Sequence, residues 1–353
     1  MQVFDLMSER SHEQLVFWND PKLQYRGIIA IHDTTMGPAL GGTRFWNYET
    51  DREAVIDALR LSRGMTYKAA ITGLNLGGGK SVIWGDNRST DREMLFRAHG
   101  RAVESLAGRY ITAEDVGTSP DDMEFVSMET EYVVGLPGRS GDPSPVTAFG
   151  VYRGIKACAA IEYGNDSLAG RHVVVQGLGH VGYYLCEDLA QEGAKLTVTD
   201  IDADRVQRVV EEFGAAAVAP DAVYDVKADI FAPCALGAVV NDDTIDRFQF
   251  DIIAGAANNQ LARGSIHGAA LHERGMLYAP DYVINAGGLI NVYGEINDWS
   301  AERSKRKAGE IYGTLLRIFE LAKSEGIEPH ASANRVAESR VLEARHLQRT
   351  FVP

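Results

Sequence analysis

The chain has 353 residues, 45% of them hydrophobic and 24% charged, which suits a globular protein with room for two cores. Its 35 basic against 49 acidic residues give a net charge of -14, which argues against a general nucleic-acid binder. No run approaches the ~18 apolar residues of a membrane span, and MQVFDLMSERSHEQLVFW at the start lacks the basic and apolar regions of a secretory signal.

YRGIIAIHD (25–33) reads as a strand, and DREAVIDALRLSRG (51–64) as a helix with Val55, Ala58 and Leu59 on one face. GLNLGGGKSVIW (73–84) reads as strand, glycine turn, strand. Its GGGKS resembles a phosphate-binding loop, G-x-x-x-x-G-K-[ST], but that register needs glycines at 79 and 74. Position 74 is Leu and Gly73 is one residue early, so a phosphate loop is not expected. DREMLFRAHGRAVESLAG (91–108) reads as a helix and RYITAED (109–115) as a short strand ending in carboxylates. GLPGRSGDPSPVT (135–147), dense in Gly, Pro and Ser, is the best boundary in the chain. The expected division is a first domain of residues 1–143 plus a C-terminal helical part from about 330 to 353, and a second of residues 144–329.

Past the boundary, a helix (about 147–163) leads into RHVVVQ, then GLGHVG, a helix, and KLTVTD; DIFAPCA (229–235) and DIIAGAAN (251–258) follow as strands separated by helical stretches. From about 285 the chain reads as mostly helical. Repeating strand–helix units of this length imply a parallel, doubly wound sheet. Gly177, Gly179 and Gly182 match G-x-G-x-x-G directly after a strand, opening a helix with Val181, Tyr184, Leu185 and Leu189 on one face. That context is the dinucleotide fingerprint of a Rossmann-type domain: a tight turn, close approach of the pyrophosphate, and helix–strand packing. Asp200 ends the next strand, where an acid binds ribose hydroxyls and repels a 2′-phosphate, so NAD is expected rather than NADP; Arg205 lies nearby.

A dinucleotide domain implies hydride transfer, with the substrate held by the first 140 residues. Lys68 in GMTYKAA, Lys80 in GGGK and Asp115 in ITAEDVGT stand out there, although each taken singly is as readily a solvated surface charge. PALGGTR (38–44), RGMTYK (63–68), NLGGGK (75–80), ITAEDVGT (111–118), GLGHVG (177–182), APCALG (232–237) and YVINAGGLINV (282–292) together resemble the glutamate/leucine/phenylalanine/valine dehydrogenase family, most of all its leucine-acting branch. The resemblance runs nearly end to end. It implies two α/β domains separated by a cleft that closes over the substrate, and oxidative deamination of an L-amino acid to a 2-oxo acid and ammonia with NAD. It also implies a homo-oligomer, an octamer or hexamer, or a dimer.

By the same resemblance Lys68 grips the substrate α-carboxylate, Lys80 activates water, and Asp115 shuttles protons to and from the substrate nitrogen. A second ammonium and burial would depress the Lys80 pKa, which makes an amine usable as a base. The glycines before it would let the backbone and substrate approach. Asn258 and the Gly41–Gly42 backbone would fix cofactor and substrate, Thr147 would face the nicotinamide carboxamide, and His180, Val181, Cys234, Ala235 and Ala256 would complete the cofactor site. Glutamate-specific members carry a lysine where this chain has Leu40; Leu40, Ala113, Leu289 and Val292 are all apolar, and burying an unpaired second carboxylate among them costs several kcal/mol. The expected substrates are therefore leucine, valine and isoleucine, with overlapping activity because one methylene is worth only about 1–3 kcal/mol. Leu289, larger than the valine typical of leucine-specific members, is the one departure. The rival readings are an aromatic (phenylalanine or tryptophan) amino-acid dehydrogenase and a non-catalytic nucleotide sensor.

No metal is expected. HEQLV (12–16) lacks the second histidine of H-E-x-x-H, His267 and His272 lie off one helical face, and no CxxC or G-x-S-x-G is present. Cys158, Cys186 and Cys234, odd in number and each in an apolar setting, read as reduced thiols, and a cytoplasmic location with no membrane or nucleic-acid partner is expected.

Overall fold

The computed structural model describes residues 2–136, 141–235 and 237–347. Residues 137–140 of the expected boundary and Leu236 of APCALG lie outside them. The chain forms two compact units: Met1–Gly141 with Glu295–Asp298 and Ala337–Pro353, and Asp142–Gly294 with Trp299–Val336.

The first unit contains, in order, α1 (Val3–Glu9), β1 (Gln14–Asp20), β2 (Tyr25–Asp33), β3 (Ala39–Trp46), α2 (Asp51–Ile71), β4 (Gly77–Trp84), α3 (Glu93–Glu104), β5 (Tyr110–Glu114) and α4 (Pro120–Ser127). Its sheet has the order β1-β2-β4-β3-β5; β1–β2 and β2–β4 are antiparallel, β4–β3 and β3–β5 parallel. α2 starts at Thr50, whose side chain accepts the Glu53 N–H, and runs well past the expected end at 64, so Lys68 sits on it.

GGGK is not the glycine turn read from the sequence. Gly77–Lys80 are the opening residues of β4, a central strand with neighbours on both edges and packed on both faces. A Cβ at Gly78 would stand 2.2 Å from the Thr66 backbone nitrogen on α2, and one at Gly79 would stand 2.5 Å from the Tyr110 ring. The glycines thus admit a helix on one face and an aromatic ring on the other. Tyr25, Ile29, Phe45, Phe96, Tyr110 and Met123 fill the adjoining core, each side chain worth about 1.5–3 kcal/mol in burial.

The second unit continues with α5 (Ser144–Tyr163), β6 (His172–Gln176), α6 (His180–Gln191), β7 (Lys195–Thr199), α7 (Ala203–Phe213), β8 (Ala216–Ala217), β9 (Ile230–Pro233), β10 (Ile252–Ile253), α8 (Gly264–Glu273), β11 (Leu277–Tyr278), α9 (Asp281–Ile284), α10 (Gly287–Ile296), α11 (Ala301–Gly309), α12 (Ile311–Glu325) and α13 (Pro329–Leu347), the last reaching back into the first unit. All six strands are parallel in the order β11-β10-β9-β6-β7-β8, the doubly wound arrangement of a Rossmann-type domain. The helical stretch expected between β9 and β10 is a single 3₁₀ turn, Ile245–Arg247. Phe231, Phe248 and Phe250 pack against each other in the same core cluster as Ile245 of that turn. On α6 the buried face is Gly182, Leu185, Cys186 and Leu189, while Val181 and Tyr184 are half-buried.

Candidate active site

In the first unit, β4 carries Lys80 and the end of β5 leads to Asp115. The Lys80 Nζ donates to Asp115 Oδ2 at 2.6 Å, with the lysine side chain 6% exposed and the aspartate 27%. Burial is the largest influence on Lys80 and draws its pKa below the ordinary lysine value; the Asp115 carboxylate opposes this and the Arg44 guanidinium adds to it. Burial alone would raise Asp115, but the Lys80 ammonium, the Arg44 guanidinium and the Val116 N–H hold it below the usual carboxylate range. Thr118 clamps the turn: its hydroxyl accepts the Asp115 N–H at 2.9 Å and donates to the Asp115 carbonyl at 2.7 Å.

Beneath this pair runs a buried polar chain. Thr43 Oγ1 lies 2.8 Å from Ser81 Oγ, 2.6 Å from Thr112 Oγ1 and 2.9 Å from His99 Nε2, and His99 Nδ1 lies 2.8 Å from the Tyr25 hydroxyl. The Tyr110 hydroxyl donates to the Gly41 carbonyl at 2.5 Å. Burial pushes the His99 imidazole down to about 3, so it is neutral and hydrogen-bonds as such. A Cβ at Gly41 would stand 1.7 Å from the Gly79 carbonyl, and one at Gly42 would stand 2.8 Å from the Asp115 Cβ. Leu40 and Ala113 flank these positions on β3 and β5, Leu40 only 3% exposed.

In the second unit, Gly177 turns the chain after β6 at φ +95°, and a Cβ there would stand 2.6 Å from that of Ala235. A Cβ at Gly182 would stand 2.0 Å from the Gly177 carbonyl, so α6 lies directly on the turn. Gly179 is different: it begins α6 without a side-chain cap, and among the described residues no atom beyond its chain neighbours comes nearer than 3.9 Å to where its Cβ would be. Beside it opens a cavity of about 350 Å³ lined by Leu178, Gly179, His180, Tyr183, Arg205 and Arg208, among others. Bare helix N–H groups, room over a glycine and two guanidinium groups fit a dinucleotide diphosphate. Asp200 already accepts the Leu178 N–H at 2.6 Å and the Asp202 N–H at 2.9 Å, so its carboxylate is fixed at the tip of β7.

Models of the family match both units, the "Glu/Leu/Phe/Val dehydrogenase, dimerisation domain" over residues 12–132 and "Glutamate/Leucine/Phenylalanine/Valine dehydrogenase" over 198–349. The chain is 54% identical to the leucine dehydrogenases of Thermoactinomyces intermedius and Bacillus subtilis, over all of this chain and 97% of each relative. The chain belongs to the Glu/Leu/Phe/Val dehydrogenase family. The solved structure of L-tryptophan dehydrogenase from Nostoc punctiforme is similar throughout: TM-score 0.89 and 46% identity, over 97% of this chain and 99% of that one.

The remaining residues that the resemblance to these dehydrogenases pointed to fall within one unit or the other. Lys68 lies half-buried on α2. Asn258 follows β10, its Oδ1 accepting Asn285 Nδ2 at 2.6 Å, and Asn285 also donates to the Ala256 carbonyl at 3.1 Å. Thr147, on α5, meets α10 across two glycines: a Cβ at Gly287 would stand 2.5 Å from the Thr147 Cα. Cys234 is tied to the strand before the glycine turn, its N–H donating to the Gln176 carbonyl at 2.7 Å, and no cysteine is disulfide-bonded. Leu289 is buried and Val292 half-buried on α10; His180 is exposed. Sequence reasoning missed Arg44, Asp57 and Asn285. Arg44 and Asn285 stand inside quoted motifs and could have been flagged, whereas Asp57 reads as an ordinary helix-surface carboxylate. Among the described residues no helix is long and apolar enough to cross a membrane, and no cluster of His, Cys, Asp and Glu could hold a metal ion.

Proposed function

We propose that this chain catalyses the reversible, NAD-dependent oxidative deamination of branched-chain L-amino acids, leucine foremost and valine and isoleucine with it, to the 2-oxo acid and ammonia. The observation that carries the reading is the buried Lys80 amine, drawn below its ordinary pKa and hydrogen-bonded to Asp115. In deamination the hydride leaves the α-carbon, water adds to the resulting imino acid, and ammonia departs. The nicotinamide, when bound, supplies the hydride acceptor. Lys80, neutral, takes the proton from the attacking water; Asp115 passes protons to the leaving nitrogen. Lys68, protonated, binds the substrate carboxylate, and the Gly41–Gly42 backbone, Asn258 and Thr147 orient substrate and nicotinamide.

In this reading the substrate side chain meets only apolar residues, Leu40 and Ala113 of the first unit and Leu289 and Val292 of the second. Nothing in that set can pair a second carboxylate, which disfavours glutamate by several kcal/mol. Asp200 supports NAD over NADP, because a carboxylate repels a 2′-phosphate. The Gly177–Gly182 turn with His180 and Val181, and the backbone of Cys234, Ala235 and Ala256, complete the cofactor site. The match to a dimerisation domain supports a homo-oligomer.

The test is NADH formation from L-leucine at alkaline pH by the wild type and by Lys80→Ala. The wild type should turn over, and the variant should fall to background while still binding NAD. If both sit at background with NAD bound, a nucleotide sensor is the better reading. A panel of kcat/KM values over leucine, valine, isoleucine, phenylalanine and tryptophan decides the side chain: an aromatic amino acid at the top would overturn the branched-chain assignment.

A further inference from the structure

Asp115 does not pair with Lys80 alone. Its Oδ2, the oxygen that accepts Lys80, also accepts Arg44 Nε at 3.1 Å. From its far side the same guanidinium donates through Nη1 to Asp57 Oδ2 at 2.8 Å. Asp57 is held in turn by the Tyr48 hydroxyl, 2.8 Å from Oδ2, and by Arg60 Nη2, 3.1 Å from Oδ1. Charges therefore alternate along a line: ammonium, carboxylate, guanidinium, carboxylate. The Arg44 and Asp57 side chains are 19% and 15% exposed, well short of a solvated surface pair.

We propose that Arg44, braced by Asp57, is a positioning residue of the active site: it fixes the rotation of the Asp115 carboxylate so that Oδ2 faces Lys80 and Oδ1 is left for proton transfer with substrate. The inference rests on the deamination reading above. Two donors converging on one oxygen hold the carboxylate in one plane, since turning it about the Cβ–Cγ bond by anything short of a half-turn, which only exchanges two equivalent oxygens, would break both bonds. Only a planar guanidinium can bridge two carboxylates through Nε and Nη1 at once; a lysine in its place reaches one of them. β3 holds the bridge rigidly, because it pairs in parallel register with β4 on one side and β5 on the other.

The bridge also sets the charge around Lys80. The groups facing that amine are Asp115 after β5, Arg44 from β3 and Asp57 from α2, the helix that also carries Lys68 and Arg60. Tyr48, Tyr110 and Glu114 face Asp115 in turn. Arg44 disfavours the charged amine and Asp57 favours it. Removing one or the other must therefore displace the Lys80 titration in opposite directions.

The experiment is the pH profile of kcat/KM for leucine oxidation by the full-length enzyme, with thermal melting of each variant. The rising limb reports Lys80 losing its proton. Arg44→Gln should move that limb up by about one pH unit, and Asp57→Asn should move it down by a few tenths to about one unit. Arg44→Lys keeps the charge but not the bridge: its limb should stay within a few tenths of a unit while kcat falls about tenfold or more. If Arg44→Gln does not fold, the other two variants decide. Limbs that all stay at the wild-type position, or that all move the same way, overturn the proposal and leave Arg44 a structural ion pair. A wild type that oxidises no amino acid would instead overturn the deamination reading, so the two failures are told apart.

Discussion

The Lys80–Asp115 corner and the Gly177–Gly182 turn are built on opposite principles. The first is made of side chains: a buried amine, a carboxylate and a guanidinium whose protonation is set by burial and by one another. The second is made of backbone and of missing side chains, with a bare helix start at Gly179 and open space above it. A side-chain site does chemistry because its pKa values are tunable, whereas a backbone site binds through N–H dipoles that no titration alters. Substitutions at the two sites should therefore fail differently, one in rate and pH dependence and the other in cofactor affinity.

The sharpest separation should come from Lys80→Ala. Loss of a general base costs about 10²–10⁴-fold in kcat, and NAD affinity, measured by titration of the same variant, should stay within about twofold of wild type. A large loss of NAD affinity in that variant would erase the contrast. Next, Gly179→Ala should raise the KM for NAD by about tenfold, ~1.4 kcal/mol, while kcat at saturation and the melting temperature hold, because among the described residues no atom beyond the chain neighbours lies nearer than 3.9 Å to the new methyl group. Gly182→Ala, three residues on, meets the Gly177 carbonyl at 2.0 Å and should instead cost about 1–3 kcal/mol in stability.

The last contrast separates the two regions by acid. His12 is drawn down to about 4 and His99 to about 3, chiefly by burial, and both belong to the first unit. Their folded pKa values lie below the unfolded value of about 6.5. Above that pH both states are neutral and nothing is lost; below it the unfolded chain binds protons that the fold refuses, so stability falls as pH drops from about 6.5 to about 3. Three of the four tryptophans, Trp18, Trp46 and Trp84, also lie in the first unit and Trp299 in the second, so fluorescence of a Trp299→Phe variant in urea titrations should show the first unit's midpoint falling over that window. His99→Gln, with hydrogen-bonding capacity but no titration, should flatten the fall; an unchanged slope would show that this ring does not drive it.

Much of this was legible in the chain itself. Three glycines at the dinucleotide spacing, following one strand and opening a helix, could be read as a tight turn packed against that helix because the fingerprint is local: every residue of it lies within six positions, and backbone geometry alone sets the need. The alternation of strand and helix after residue 144 likewise pointed to a parallel sheet. GGGK misled for a physical reason. Glycine signals either a turn or a close approach, and only the placement of α2 and Tyr110 on the two faces of β4 shows which applies.

What only the tertiary structure decided is the company each charge keeps. Arg44 reaches Asp115 across 71 positions of sequence and Asp57 across 13, and the buried chain through Thr43, His99 and Tyr25 spans 56 and 74. No periodicity or spacing records such pairs, since they are created by the order in which strands join the sheet. Local patterns determine which element a residue stands in, through backbone preference and hydrophobic period. Burial and the neighbours across the sheet determine whether its amine is charged, and those exist only once the strands have met.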